Sequence, residues 1–315
     1  MEYRKLGSTN LTVSRLCFGA LTIGPLQANL PLDEGANLIC EANELGINFV
    51  DTAEYYQNYS YINLALKKAK NEIIIATKSY AYTYEGMKNS VEKARKEIGK
   101  DYIDIFMLHE QESKLTLEGH KEALNYLLEA KEKGIIKAVG VSTHTVEVVR
   151  AAADMPEFDV IQPLINFKGI GIKDGTADDM LNAIEYAYNK GKGIYGMKCL
   201  GGGNLIKEKE RAFEYVLNIP YLHSIAVGIK SRYELIADIC IFEGNKVPLE
   251  IENMLLKEKR KLIIENWCEG CGKCTERCRY SAISIKGEKA YVDETKCILC
   301  GYCAGACPEF CIKII

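Results

Sequence analysis

The sequence of 315 residues carries 40 basic and 43 acidic side chains, so its formal net charge at pH 7 is −3. This near balance argues against a nucleic-acid-binding protein, in which a basic excess is usual. No apolar run approaches the roughly 18 residues that a membrane-spanning helix needs. No hydrophobic signal segment follows Met1. We therefore expect a cytoplasmic protein whose partners include neither a nucleic acid nor a membrane.

The first 245 residues alternate between short apolar, β-rich runs and segments with helical spacing. The predicted strands cover residues 15–19, 48–52, 72–78, 102–109, 135–142, 160–166, 193–200 and 224–230. The predicted helices cover residues 32–46, 60–70, 85–99, 117–133, 145–155, 177–191, 208–218 and 231–243. Strict alternation requires parallel strands with right-handed crossovers. Eight such units in a segment of this length predict the α/β class, as a (β/α)8 TIM barrel over residues 1–245.

A doubly wound open sheet is the alternative for this region. It usually has fewer strands, and a Gly-rich G-x-G-x-x-G turn when it binds a dinucleotide. No such turn follows any predicted strand, which favours the barrel. Residues 246–266 continue with helical spacing and predict a linker helix packed against the barrel. Residues 267–315 form a separate, cysteine-rich C-terminal domain.

The C-terminal segment contains the motif C-x2-C-x2-C-x3-C twice, with the two copies offset by 29 residues. Three cysteines with two-residue gaps can surround one face of a [4Fe–4S] cluster, and the fourth ligand must come from elsewhere. A pair of zinc sites is the alternative, but zinc motifs rarely repeat four cysteines at these gaps. The two copies comprise Cys268, Cys271, Cys274 and Cys278, then Cys297, Cys300, Cys303 and Cys307.

Residues 267–315 resemble the bacterial-type two-cluster ferredoxins, which implies a small α+β domain with two [4Fe–4S] clusters. In those proteins the fourth cysteine of each motif binds the other cluster. The resemblance therefore implies one ligand set of Cys268, Cys271, Cys274 and Cys307, and a second of Cys297, Cys300, Cys303 and Cys278. Electron transfer is the expected role of the clusters, and a purely structural role is the alternative.

Three neighbouring predicted strands end in polar residues that suit carbonyl chemistry. Asp51, Lys78 and His109 stand at the carboxyl ends of strands two, three and four, and Tyr56 lies in the loop after Asp51. Active sites of such barrels lie at that end. A carbonyl that receives a hydride needs a proton from a nearby acid. A Tyr can give that proton if a Lys lowers the pKa of its phenol. A structural Asp51–Lys78 ion pair is the alternative.

The same residues carry a resemblance to the aldo-keto reductases over residues 1–245. The stretch from Gly46 to Tyr56, GINFVDTAEYY, is similar to the family's signature, and ATK ending at Lys78 and the strand ending at His109 fit as well. The resemblance implies that Tyr56 donates the proton, Asp51 and Lys78 tune it, and His109 orients the carbonyl. Tyr55 is the alternative acid.

In this family NAD(P) lies across the barrel mouth without a Rossmann motif, so we expect NAD(P)H as a cofactor. Glu234 stands where an Arg often binds the 2′-phosphate. A carboxylate there repels that phosphate and accepts a ribose hydroxyl, which slightly favours NADH, although Arg232 would counter the repulsion. The implied cofactor-binding residues are Ser142, Thr143, Gln162, Asn166, Met197, Lys198, Gly228, Lys230, Ser231, Glu234 and Asp238.

The two resemblances together imply an oxidoreductase that reduces a carbonyl-type small molecule and uses the clusters for electron transfer. A hydride carries two electrons, whereas each cluster accepts one. A flavin would convert between the two, but the sequence contains no flavin-binding motif. A redox partner protein is the other expected partner. The alternative is an electron carrier or redox sensor whose barrel is a docking scaffold that uses no nicotinamide.

Overall fold

The computed structural model describes residues 1–315 and contains the predicted barrel. Strands β3 to β10 are parallel, follow one another in chain order and close when β10 pairs with β3. The strands are β1 (Tyr3–Lys5), β2 (Thr12–Ser14), β3 (Leu16–Gly19), β4 (Phe49–Asp51), β5 (Ile74–Ser79), β6 (Ile103–Gln111), β7 (Ile136–Thr143), β8 (Val160–Pro163), β9 (Gly193–Met197), β10 (Ser224–Gly228), β11 (Leu262–Ile264), β12 (Ile283–Lys286), β13 (Lys289–Val292) and β14 (Ile312–Ile314). The fold class is confirmed.

Helices follow the barrel strands and pack around them. They are α1 (Leu32–Glu44), α2 (Tyr59–Lys68), α3 (Tyr84–Ile98), α4 (Lys114–Gly119), α5 (Lys121–Glu132), α6 (Val146–Asp154), α7 (Ala177–Asn189), α8 (Lys209–Leu217) and α9 (Arg232–Phe242). Helix α10 (Leu249–Lys257) lies in the linker and α11 (Lys273–Arg277) in the tail. Several begin at a hydroxyl that accepts a backbone N–H, as Thr83 does for α3, Thr145 for α6 and Ser231 for α9. No helix is both long and apolar enough to cross a membrane.

The linker differs from its prediction. Helix α10 ends at Lys257, and residues 262–264 form β11, which pairs antiparallel with β14. Leu262 and Ile263 match a helical spacing with the residues before them, but four charged residues, 258–261, separate them from the helix. Pairing with a partner strand at the far end of the chain decides their conformation. The antiparallel hairpin of β1 and β2 was also not predicted.

The cysteine-rich segment packs against the carboxyl end of the barrel. The Ile314 backbone N–H donates to Gly202 O in the loop after β9 at 2.9 Å. In the same loop, Asn204 Nδ2 donates to Ile312 O at 3.0 Å. One apolar core continues from Tyr195 inside the barrel to Phe310 of the tail. The tail therefore covers the end of the barrel where the predicted site lies.

Candidate active site

A buried ion pair joins two of the predicted residues. Lys78 Nζ donates to Asp51 Oδ1 at 2.8 Å, to Asp51 Oδ2 at 2.9 Å and to Thr52 O at 2.8 Å. The side chain of Lys78 is only 1% exposed. All three ammonium hydrogens are thus used, because an ammonium has three donors. Lys78 is fixed at the floor of the site, beneath Tyr56.

Tyr56 and His109 lie together above this ion pair. The Tyr56 ring centroid is 5.3 Å from Lys78 Nζ and 5.8 Å from the His109 ring centroid. Tyr80 stacks on His109 with a centroid separation of 4.2 Å. His109 Nδ1 is buried and has no hydrogen-bond partner. Tyr55 points away, 43% exposed. The structure therefore brings the four predicted residues together and puts Tyr56, not Tyr55, beside Asp51.

The electrostatics of the site differ from the prediction for Tyr56. Burial first, then the negative charges of Asp51 and Glu110 and the Tyr80 phenol, raise the pKa of Tyr56 well above its usual value. The predicted lowering of this pKa by Lys78 is not what the structure shows, because burial and the neighbouring negative charges outweigh any effect of the ammonium. Burial also lowers the pKa of His109 to about 3. Tyr56 is therefore protonated and His109 neutral at physiological pH.

Asp51 has two further partners, one of which sequence reasoning missed. Tyr195 Oη donates to Asp51 Oδ1 at 2.9 Å from the middle of β9. Gln162 Nε2 donates to the same oxygen at 2.9 Å. Gln162 Oε1 is buried without a partner. An unpaired buried acceptor is costly, and a carboxamide N–H would satisfy it. This atom fits the predicted nicotinamide site.

A cavity of about 1210 Å³ extends from Asp51 and Tyr56 to the tail. Its barrel side contains six of the predicted cofactor residues, and its opposite side is formed by the linker and by the tail, including Leu299 next to Cys300. The six residues are Met197, Lys198, Gly228, Lys230, Glu234 and Asp238. The cavity connects the predicted catalytic residues with the cysteine-rich segment.

Other predicted cofactor residues are engaged elsewhere. The amide of Asn166 holds its own loop, since Nδ2 donates to Ile170 O at 2.9 Å and Oδ1 accepts from Ile170 N at 3.0 Å. Thr143 Oγ1 donates to Gln111 O at 2.6 Å. Ser142 Oγ accepts the Glu110 N–H at 2.8 Å. Asn166 and Thr143 therefore hydrogen-bond to the backbone of their own surroundings. Among the predicted cofactor residues, Gln162 has a buried oxygen, Oε1, without a hydrogen-bond partner.

At the far end of the cavity, the linker contacts the predicted phosphate-binding segment. Ser231 Oγ donates to Glu258 Oε1 at 2.5 Å. Arg260 Nη2 donates to Glu234 Oε1 at 2.8 Å. Burial raises the pKa of the Asp238 carboxyl to about 8. The predicted residues lie near one another. Two of them, Ser231 and Glu234, form hydrogen bonds with linker side chains that were not predicted from the sequence.

A buried group of charged side chains joins the barrel to the tail. Lys198 Nζ lies 2.6 Å from His144 Nε2 and 3.5 Å from Glu110 Oε1. Its ammonium is also 5.1 Å from the centroid of the Phe310 ring in the tail. Lys198 and Glu110 have left-handed backbones, with φ of 60° and 47°. Such backbones are strained for residues other than glycine, so tertiary contacts hold both side chains in place.

The four cysteines of the first predicted ligand set lie around one small cavity. Cys268, Cys271, Cys274 and Cys307 line one small cavity, together with Cys311. No three His, Cys, Asp or Glu side chains converge on a single-ion site. Thiols around a cavity fit a larger group between them. Burial first, and then the neighbouring Cys300 and Cys297, raise the pKa of the Cys303 thiol to about 12.

Cys278 and Cys268 accept backbone N–H groups, and Cys311 is a buried neighbour of the first set. Ala282 N donates to Cys278 Sγ at 3.3 Å, and Ala290 N donates to Cys268 Sγ at 3.5 Å. Such hydrogen bonds stabilise the thiolates that bind iron. Cys311 Sγ lies 3.2 Å from Cys307 Sγ. The residues present therefore fit an iron–sulfur cluster in the first cavity.

Comparison with known proteins defines the class of this enzyme. Residues 15–218 match the model of the aldo/keto reductase family, and residues 267–311 match the 4Fe-4S dicluster domain. A barrel with this site, joined to an iron–sulfur segment, is an oxidoreductase. The chain belongs to the aldo/keto reductase family.

Known proteins that resemble this chain share roughly a quarter of their residues with it over the matched regions. L-galactose dehydrogenase of Arabidopsis thaliana is 26% identical over 260 residues, which cover 78% of this chain and 77% of that enzyme. The NADH-specific methylglyoxal reductase of Escherichia coli is 28% identical over 189 residues, 51% of this chain and 58% of that enzyme. A Pseudomonas aeruginosa structure described as an aldo-keto reductase has a TM-score of 0.67 and 26% identity, covering 77% of this chain and 95% of its own.

Proposed function

We propose that this chain reduces a carbonyl group of a small molecule with NAD(P)H and carries two [4Fe–4S] clusters for electron transfer. The observation that supports it most is the buried Asp51–Lys78 pair beneath Tyr56 and His109, in a cavity large enough for a dinucleotide. Such a cavity exceeds the usual range of ligand sites. A scaffold for docking has no need of this buried ion pair.

The roles of the four residues follow from their states. The nicotinamide, when bound, supplies the hydride. Tyr56 is a protonated acid beside the position of the new alkoxide and gives it the proton. The phenolate that remains lies near the Lys78 ammonium, which stabilises it more as its charge develops. Neutral His109, whose ring centroid is 5.8 Å from that of Tyr56, would orient the substrate oxygen. Asp51 keeps Lys78 in place.

The cysteine sets that we propose as ligands are those implied by the ferredoxin pattern. Cys268, Cys271, Cys274 and Cys307 would hold one cluster, and Cys297, Cys300, Cys303 and Cys278 the other. Leu299 lines the cavity that contains Tyr56. The second set therefore lies next to the cavity wall, which supports an electron-transfer role over a purely structural one.

The first test replaces Tyr56 by Phe, with Tyr55→Phe as the matched control. The names of the relatives suggest small aldehydes such as methylglyoxal, and aldose sugars, as first substrates. We expect Tyr56→Phe to lose roughly 10²–10⁴-fold in kcat, as the loss of a general acid predicts. Tyr55→Phe should retain activity, because that side chain is exposed outside the cavity. The visible absorption of the clusters should be the same in all three proteins.

Three outcomes would contradict the proposal or narrow it. Full activity in Tyr56→Phe would remove Tyr56 as the acid. No nucleotide-dependent reduction by the wild type, with clusters that accept electrons from dithionite, would favour the electron carrier or sensor. Anaerobic titration with NADH and NADPH tests the role of the clusters. Bleaching of their absorption would show that they accept electrons from the nucleotide in the barrel. Unchanged absorption would indicate that they exchange electrons with a separate redox partner.

A further inference from the structure

A guanidinium from the linker enters the phosphate end of the cavity. Arg260 lies between α10 and β11, lines the cavity and has a side chain that is only 17% exposed. Its one hydrogen bond, at 2.8 Å, goes to Glu234 Oε1, and Glu258 Oε2 lies 3.6 Å away. A guanidinium has five N–H donors. Most donors of Arg260 therefore remain open in a largely buried position.

Both carboxylate oxygens of Glu234 already accept a hydrogen bond. Its Oε2 accepts the Lys230 N–H at 2.8 Å while Oε1 accepts from Arg260. The carboxylate is paired with a cation, which weakens both its repulsion of a 2′-phosphate and its attraction for a ribose hydroxyl. The argument for NADH from Glu234 is therefore weaker. Arg232, the residue expected to counter Glu234, lies outside the cavity, since its Nε donates to Glu41 Oε1 at 2.6 Å and its side chain is 62% exposed.

The surroundings of Arg260 suit an anion with several oxygens. Seven lysines and seven acidic side chains line the same cavity, so Arg260 gives its lining a formal net charge of +1. Arg binds phosphate through two parallel N–H groups, which gives geometric selectivity as well as charge. Glu234 fixes one side of the guanidinium and so orients the remaining donors. The acidic side chains Glu234 and Glu258 are both within 4 Å of Arg260 and position it.

We infer that Arg260 binds the 2′-phosphate of NADPH, so that the linker, not the barrel, determines the choice of nucleotide. The inference rests on the proposed function, because it assumes that a nicotinamide nucleotide binds in this cavity. In this chain, residue 234 does not bind the phosphate itself and instead positions an Arg supplied by the linker. NADPH is then the preferred nucleotide.

The test uses the full chain with its clusters assembled and measures dissociation constants for NADPH, NADH, 2′,5′-ADP and 5′-AMP. We expect wild type to bind NADPH and 2′,5′-ADP more tightly than NADH and 5′-AMP. Arg260→Gln should weaken NADPH binding by roughly tenfold to a hundredfold, the worth of a hydrogen-bonded charge, and leave NADH within about twofold. Arg232→Gln removes an arginine outside the cavity and should change neither constant.

Removing Arg260 alone leaves buried carboxylates unpaired, which can destabilise a protein. The double variant Glu234→Gln with Arg260→Gln avoids this and should lose the preference for NADPH as well. Equal NADPH affinity in wild type and in both variants would overturn the inference while leaving the proposed function intact. If wild type binds none of the four ligands, the proposed function fails first. Preference for NADPH that disappears in Arg232→Gln would also overturn the assignment.

Discussion

Asp51 is the residue on which the site depends, because three side chains from three other strands donate to it. Lys78, Gln162 and Tyr195 all reach its carboxylate. The Lys78 contact was predicted, since both residues end neighbouring strands. The Gln162 contact was not, because it spans 111 positions and depends on how the barrel closes. Residue types at strand ends predict a site, but not the partners within it.

The position of Tyr195 in the site could have been predicted from the sequence. Side chains two residues apart on a strand share a face, and Met197 was already assigned to the cofactor site. Tyr195 therefore points in the same direction, deeper in the barrel. Its ring lies 5.0 Å from that of Phe49. Arg260 carried no such signal, because its contact with Glu234 requires the path of the linker through space.

Asp238 gives a prediction about pH. Burial raises its carboxyl pKa to about 8, with Glu234 adding to the shift and Lys209 and Arg260 opposing it. Between the unfolded pKa of about 3.9 and the folded value, the folded state binds more protons, so stability falls as pH rises. Asp238→Asn removes this loss. We expect the variant to melt at a higher temperature than wild type at pH 9, with a smaller difference at pH 5.

The control for this prediction is Asp178→Asn, which changes an exposed aspartate at the start of α7. It should show no change in melting temperature between pH 6 and pH 9 relative to wild type. A melting temperature for Asp238→Asn that falls below wild type at both pH values would mean that Asp238 acts as a charged, favourable group.

At the scale of elements, periodicity predicted the long buried strands and the helices around them. The same reasoning failed for β1, β2 and β11, each of three residues. Three residues contain too little alternation to separate a strand from a turn or a helix end. These strands exist because partner strands pair with them. Their prediction needs knowledge of the partner.

The loop after β9 packs tightly against strand β14 of the tail. Gly203 has a φ of 83°, and a Cβ atom built on it would lie 1.9 Å from Ile314 O. We expect Gly203→Ala to displace β14 and to lower the midpoint of thermal unfolding. It should also increase the loss of iron from the tail.

Gly191 provides the matched control, because its φ is 81° and nothing lies within 4 Å of a Cβ there. Gly191→Ala therefore has a similar backbone cost without the clash. If both variants lose stability equally, and iron is retained in both, the close contact at Gly203 has no consequence for the tail.

At the scale of the whole molecule, sequence predicted a barrel and an iron–sulfur domain but not how they meet. Their placement rests on contacts such as Asn204 with Ile312 and Lys198 with Phe310. No local pattern marks these pairs. The linker prediction was incomplete for the same reason, since α10 stops and the chain returns to the tail as β11.

The tail and linker form one side of the cavity in which we propose that the nucleotide binds. If the nucleotide binds only when the linker and tail are packed against the barrel, its binding stabilises that packing. The packing in turn strengthens the binding of the nucleotide. Binding of the nucleotide and retention of iron are then thermodynamically coupled. Nucleotide at a hundredfold excess over its dissociation constant adds about 2.7 kcal/mol to the assembled form.

NADPH should therefore slow the release of iron to a chelator, and Arg260→Gln should reduce that protection. Chelator assays with and without nucleotide, under anaerobic conditions, would measure it. Identical release rates would mean that the tail opens without disturbing the cavity. If the protection is found, a fall in NADPH concentration would speed the loss of iron from this protein, and its iron content would follow the supply of the nucleotide.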